Sequence, residues 1–132
     1  MNDRLKFRCW DDIHREMIDL QEQDVNPYNI SDIPQNNIMQ CTGLRDKRHQ
    51  LIYESDIVTD GYNNMLVYYN RETCSFAMQK RTKYTLKRFG KNGYEVVSLR
   101  NLSENHFKNY QLEIIGNEFQ NPELLEVKNE HT

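Results

Sequence analysis

Basic and aromatic residues alternate along residues 80–91, a composition typical of a surface that contacts phosphates or acidic groups. The candidate nucleic-acid contacts are the cations of this stretch and one tyrosine: Lys80, Arg81, Lys83, Tyr84, Lys87, Arg88 and Lys91. On one regular strand, residues 81, 83 and 87 would point the same way, and the interleaved rings offer faces on which bases stack. The alternative is a solvated sheet face, or pairing with the protein's own acidic ends. The net charge of −3 favours that alternative.

Two carboxylates, Glu54 and Asp56, lie close together in sequence. One interpretation is a catalytic carboxylate pair. The other is a pair of solvated acids that form a turn, because aspartate side chains readily accept hydrogen bonds from nearby backbone N–H groups. The second interpretation is favoured.

Metal-binding and nucleophilic patterns are weak. The four histidines are scattered along the chain: His14, His49, His106 and His131. No Cys-x-x-Cys and no His-x-x-x-His occurs, so we expect neither a metal site nor a cofactor. The three cysteines lie in or beside apolar strand segments and are expected to be reduced, buried thiols: Cys9, Cys41 and Cys74. No phosphate-binding glycine-rich loop is present. We therefore expect no catalytic residue and no enzyme activity.

Length and composition indicate a single domain over residues 1–132. At 132 residues, with 37% hydrophobic and 28% charged residues, the chain can build one modest core under a polar surface. No apolar run approaches the roughly 20 residues that span a bilayer. The N-terminus has no apolar segment of the kind found in secretory signals, which predicts a cytoplasmic protein. Residues 21–37 read as a long polar loop, and residues 128–132 as a frayed tail.

The elements that must position these residues are mostly short strands. The stretch 38–58 predicts a strand over 38–42, a turn over 43–49 with Gly43 at positive φ and Asp46 in an Asx-type turn, and a strand over 51–58. The Glu54–Asp56 segment interrupts that last strand with a bulge or bend. Residues 5–10 and 16–20 are expected to form a hairpin, preferred over a helix at 11–22.

Further strands complete a mainly-β chain. Residues 65–69 and 74–78 predict a hairpin with a loop of about four residues. Residues 83–89 and 94–99 predict a second hairpin around a turn at 90–93, and 112–117 a last strand. Short helices are expected at 103–110 and 122–126. The pattern predicts a small SH3-like barrel or barrel-like meander, with one or two short helices near the C-terminus.

Three segments resemble the YopX family of small phage and prophage proteins. They are QCTGLRDKRHQLIYESDIV at 40–58, KFRCWD at 6–11 and EIIGNEFQNPELL at 113–125. His49 and Ser55 depart from the family pattern, where glycine is expected. The resemblance implies a protein acting inside a bacterial host cell, and it supplies no catalytic residue to transfer.

The favoured function is that of a non-catalytic binding module for a protein partner, from either the phage or the host. Eight tyrosines and Trp10 are residues that bury well at interfaces. The alternative is a small β-barrel that binds nucleic acid through the basic hairpin at 80–91. Strand edges could also pair two copies into a homo-oligomer. No membrane partner is expected.

Overall fold

Nine strands and one α-helix organise the residues that the computed structural model describes, namely 3–20, 37–99 and 112–127. The strands are β1 (Phe7–Asp11), β2 (Glu16–Asp19), β3 (Ile38–Arg45), β4 (Leu51–Tyr53), β5 (Asp56–Thr59), β6 (Asn64–Asn70), β7 (Ser75–Lys80), β8 (Glu95–Ser98) and β9 (Glu113–Asn117). The helix α1 is Lys83–Phe89, and short 3₁₀ turns lie at Asp3–Leu5 and Pro122–Leu125. All the strand pairs are antiparallel, which confirms the mainly-β, barrel-like prediction; the sheets include one half-barrel.

The first sheet has the strand order β2-β1-β3-β4. Its β1–β2 hairpin pairs Cys9 with Ile18 and Trp10 with Met17, so the hairpin prediction is confirmed over the helix at 11–22. The predicted Asx turn is also confirmed: Asp46 Oδ1 accepts hydrogen bonds from the backbone N–H groups of Arg48 and Gln50. Strand β3 continues past Gly43 to residue 45, with a shift of register in its pairing to β4, so the turn begins later than predicted.

The second sheet has the order β8-β7-β6-β5-β9. The predicted hairpin is present as β6 and β7, which pair from Met65↔Lys80 to Asn70↔Ser75 around a turn at 71–74. Strand β9 pairs with β5 from the other side, with Val58 opposite Ile114. Because β9 comes near the end of the chain, the edge of this sheet beside β5 is completed by a pairing between residues far apart in sequence.

The chain passes from the first sheet to the second at Glu54 and Ser55. Ser55 has φ 72°, its N–H donates to Val67 O at 2.9 Å, and its carbonyl accepts from Glu118 N at 2.9 Å. The predicted break in the 51–58 strand is therefore confirmed. His49 also has positive φ, at 66°. Both positions at which the resemblance leads us to expect glycine thus adopt the left-handed conformation that glycine favours.

The core draws mainly on the second sheet, and Ile52 of β4 is contributed by the first. Its buried cluster is built from aliphatic and methionine side chains: Ile52, Val58, Met65, Val67, Met78, Leu99 and Leu112. Trp10 is 2% exposed and stacks on Phe119, with ring centroids 5.7 Å apart. Cys9 and Cys41 are buried as predicted, whereas Cys74 is exposed in the turn after β6, against the prediction.

One predicted element is wrong and others fall outside the described residues. Residues 83–89 form α1, not a strand, so the basic stretch 80–91 is not a hairpin. The helix predicted at 122–126 is present as the 3₁₀ turn Pro122–Leu125. The helix predicted at 103–110, the tail at 128–132 and nearly all of the polar loop at 21–37 lie outside the described ranges. Of the helices within those ranges, none is both long and apolar enough to cross a bilayer.

Candidate binding surface

Helix α1 begins and ends at well-formed caps. Thr82 is the N-cap: its Oγ1 accepts from Thr85 N at 3.2 Å, and Thr85 Oγ1 accepts from Thr82 N at 2.8 Å, which completes a capping box. At the other end Gly90 has φ 95° and its N–H donates to Leu86 O at 2.9 Å. These caps satisfy backbone groups that a helix of only seven residues would otherwise leave open.

The helix is fixed to the sheet at a tight contact. Thr85 is 2% exposed, and Gly93 lies against it so closely that a Cβ atom at 93 would clash with Thr85 O and Phe89 Cβ. Strand β8 then returns to pair with β7, with Val97 opposite Met78. The helix is therefore an insertion between two neighbouring strands, held against the fold by its Thr85 side.

The opposite side of α1 faces solvent and carries four of the residues predicted from the sequence as nucleic-acid contacts. Lys83, Tyr84, Lys87 and Arg88 follow i, i+1, i+4, i+5 spacing and form one stripe. Tyr84 is 63% exposed and Phe89, at the helix end, 61%. We call the exposed residues here the α1 surface: Lys83, Tyr84, Lys87, Arg88, Phe89 and Lys91.

Arg88 organises this surface. Its Nη1 donates to Tyr84 Oη at 2.9 Å, and its guanidinium carbon lies 5.5 Å from the centre of the Phe89 ring. In the described part of the chain, Lys87, Arg88 and Lys91 form no ion pair with an acidic side chain. Their charges are therefore offered to solvent or to a partner.

The structure separates the remaining two candidates from this surface. Lys80 ends β7, is half-buried and pairs across the sheet with Glu95. Arg81 is also half-buried, and its Nη2 donates to Gln79 Oε1 at 3.0 Å. The expectation that residues 81, 83 and 87 share one strand face is wrong, because 83 and 87 lie on the helix.

The Asp56 carboxylate is buried rather than solvated, and Glu54 is half-buried. Asp56 is 2% exposed; its Oδ1 accepts from Arg8 Nη2 at 2.7 Å and its Oδ2 from Tyr53 N at 2.8 Å. Arg8 also donates to Glu54 O and lies 4.6 Å from the centre of the Tyr53 ring. The predicted turn role is confirmed by the bond to Tyr53, and the prediction that Asp56 is solvated is wrong. Both Asp56 oxygens are committed to holding β1 against the β4–β5 turn.

Burial sets the titration of both acids. It raises the pKa of Asp56 above its ordinary value, although the Arg8 charge and the Tyr53 N–H act in the opposite direction. It also raises the pKa of Glu54, whose Oε1 accepts from Gln40 N at 2.8 Å. Asp56 thus joins β5 of the second sheet to β1 of the first, and Glu54 joins the β4–β5 turn to β3.

A second group of polar side chains was missed by the sequence reasoning. Asp11, His14 and Glu16 come together at the β1–β2 turn. The histidines look scattered only when they are compared with one another. The available signal was the Asp-x-x-His-x-Glu spacing across a predicted hairpin turn.

The fold and this surface define a small, two-sheet, antiparallel β protein that presents a short basic and aromatic helix. The sequence pattern of the YopX protein family matches residues 27–126, and the chain belongs to that family. The fold also resembles the crystal structure of protein EF1440 from Enterococcus faecalis, with a TM-score of 0.55 and 23% sequence identity, over 92% of this chain and 97% of the other.

The chain is also similar to a segment of a much larger protein. It is 35% identical, over 107 aligned residues, to Mediator of RNA polymerase II transcription subunit 14 from Scheffersomyces stipitis. That match includes 76% of this chain and spans only 9% of the subunit. The activity and partners of the whole subunit are therefore not transferred to this chain.

Proposed function

We propose that this chain is a non-catalytic accessory protein of a phage or prophage, which acts in the cytoplasm of the bacterial host by binding a protein partner. The observation that carries the proposal is the α1 surface, where Arg88 contacts two exposed aromatic side chains, Tyr84 and Phe89. Tyrosine, arginine and phenylalanine are enriched at protein interfaces, and tyrosine and arginine at their energetic hot spots.

The charge of the surface favours a partner with acidic groups. Lys87 and Lys91 flank the aromatic side chains, and in the described residues no acid neutralises them. A partner with acidic groups around an apolar contact would match both features, and charge complementarity would speed its association.

Site-specific photo-crosslinking in bacterial cells tests the proposal. Replacing Tyr84 with p-benzoylphenylalanine should give a discrete protein adduct, which Arg88→Glu should abolish. Tyr62 is the matched control, because it is 92% exposed and lies in a turn away from α1 in sequence. The proposal fails if position 84 gives no adduct, or if positions 62 and 84 give the same adducts.

Nucleic-acid binding by the same surface is the second candidate. It is favoured by cations lying beside exposed rings on which bases stack. Anisotropy of labelled single- and double-stranded oligonucleotides at about 50 and about 200 mM salt tests it, because phosphate contacts release counterions and weaken steeply with salt. Binding lost in Lys87→Glu/Arg88→Glu but kept in Arg71→Glu, an exposed turn cation, would establish it. An absence of binding at the lower salt would remove it.

A further inference from the structure

Three side chains able to bind a metal ion meet at the β1–β2 turn. Asp11, His14 and Glu16 each place one donor atom within 4.8 Å of the other two. Asp11 Oδ2 and His14 Nδ1 are 2.7 Å apart. The imidazole distinguishes this group from a cluster of surface acids, because one nitrogen and two carboxylate oxygens are a donor set that zinc accepts, with a fourth position left for water.

The hairpin itself positions these donors. Asp11, the last residue of β1, lies directly opposite Glu16, the first residue of β2. Cross-strand partners of this kind have Cβ atoms about 4.5–5.5 Å apart. Asp11 Oδ1 accepts from Ile13 N at 2.9 Å and His14 N at 3.2 Å. Those two bonds orient the carboxylate so that Oδ2 faces the histidine ring.

The turn is also fixed from the inside. Asn37 is 8% exposed, and its Nδ2 donates to Trp10 O and Asp12 Oδ2, both at 3.0 Å. The buried Asn37 amide thus binds the residues on both sides of Asp11. The donors are therefore presented by a preorganised turn rather than by a free loop.

The charge of the donor group is only partly compensated. Arg15 points its guanidinium at the Trp10 ring, 5.6 Å from the ring centre, and forms no ion pair with another described residue. The Glu16 carboxylate likewise forms no hydrogen bond or ion pair with a side chain in the described part of the chain. Two carboxylates therefore face one imidazole, an arrangement that a divalent cation would neutralise.

We propose that Asp11 Oδ2, His14 Nδ1 and a Glu16 carboxylate oxygen bind one Zn²⁺ ion at the β1–β2 turn. Tetrahedral zinc with bonds of about 2.0–2.2 Å separates neighbouring donors by about 3.3 Å. Asp11 and His14 need to move apart slightly, and the exposed Glu16 side chain can rotate inward. The ion would take the place of the contact between Asp11 Oδ2 and His14 Nδ1.

Calorimetric titration of the full chain with Zn²⁺ tests this site. We expect one saturable site per chain. Mutating a residue that only supports a metal ligand typically lowers metal affinity about 10–100-fold. Removing a ligand itself should cost no less, so His14→Ala and Glu16→Gln should each weaken Zn²⁺ binding by about tenfold or more. His49→Asn and Cys74→Ser are matched controls, because both positions are exposed elsewhere and offer zinc a ligand.

The Tm of each variant, measured with and without Zn²⁺, shows whether the variant is folded and whether the ion binds its folded state. Saturating Zn²⁺ should raise the Tm of the unmodified chain and of both controls, and leave that of His14→Ala unchanged, because only binding to the folded state stabilises it. The proposal is overturned if no Zn²⁺ binds. It is also overturned if binding is lost in a control variant and retained in both turn variants.

Discussion

Removing the buried carboxylate of Asp56 should destabilise the protein severely. The Asp56→Ala change leaves the Arg8 guanidinium, whose side chain is 15% exposed, without its partner at 2.7 Å. Breaking a buried ion pair from one side typically costs about 3–5 kcal/mol. The Tyr53 N–H also loses its acceptor. Because these losses overlap, we expect about 4 kcal/mol, a large part of the stability of a domain of this size.

Urea denaturation followed by tryptophan fluorescence measures this loss, because the buried Trp10 reports the first sheet directly. The Arg8→Met/Asp56→Ala double variant should recover half or more of the loss, because no charge then remains buried. Glu72→Ala, in the exposed β6–β7 turn, is the control and should change the free energy of unfolding by less than about 0.5 kcal/mol.

The single variant Arg8→Met separates charge from packing. It leaves the Asp56 carboxylate buried without a charged partner, and protonation removes the cost of burying that charge. Arg8→Met should therefore destabilise the protein less at pH 5 than at pH 7. A loss under about 1 kcal/mol for Asp56→Ala, or a double variant whose loss equals the sum of the two single losses, would refute the account of Arg8 and Asp56 as a coupled, buried pair.

Three further changes probe other parts of the fold. Burial raises the pKa of Glu54, so this group contributes to stability below its unfolded-state pKa, and that contribution is lost as the pH rises through its folded-state pKa. The difference in free energy of unfolding between Glu54→Gln and the unmodified chain should therefore shift in favour of Glu54→Gln from pH 4 to pH 7, in parallel urea titrations. His49→Gly should raise the free energy of unfolding by up to about 1 kcal/mol, because it relieves a φ of 66° that costs an L residue about 1–2 kcal/mol; a destabilised variant would contradict this. Gly93→Ala should cost about 1–3 kcal/mol through overpacking against α1, whereas Gly61→Ala meets no atom within 4 Å and should lose only its backbone preference.

Most strands could be predicted because their local signals agree. In β1 and in the β6–β7 hairpin, short β-rich runs are bounded by turn residues, and an antiparallel hairpin pairs neighbours in sequence. The bend at Ser55 was visible as an interrupted alternation. The hairpins and the bend depend on residues that are close together in the sequence, so the sequence pattern is enough to predict them.

The helix was missed because its sequence alternates like a strand. Residues 83–89 place polar and apolar side chains with nearly the period of two, and the residue that α1 buries is a polar one, Thr85. The contact that fixes the helix is made by the backbone of Gly93, which leaves no mark in a hydrophobic pattern. The available signals were the Thr82–Thr85 pair at the start of the helix and Gly90 directly after its last residue.

The exposure of the α1 surface and the burial of Asp56 were predicted to different degrees. The cations of 83–91 were identified from composition, and their exposure follows from charge. The burial of Asp56 could not be foreseen, because its partner Arg8 lies 48 residues away along the chain. Spacing within the Glu54–Asp56 segment gives no information about a strand that approaches from another sheet.

The late addition of β9 to the second sheet bears on how the protein is made. Val58 of β5 pairs with Ile114 of β9, which is 56 residues later in the sequence. A ribosome adding about 5–20 residues per second needs roughly 3–11 s to supply that distance. While these residues are added, β6 and β7 are made and can pair with each other, but one edge of β5 stays open to mispairing until β9 arrives. The β5 edge is therefore where a chaperone that acts during translation would protect this protein best.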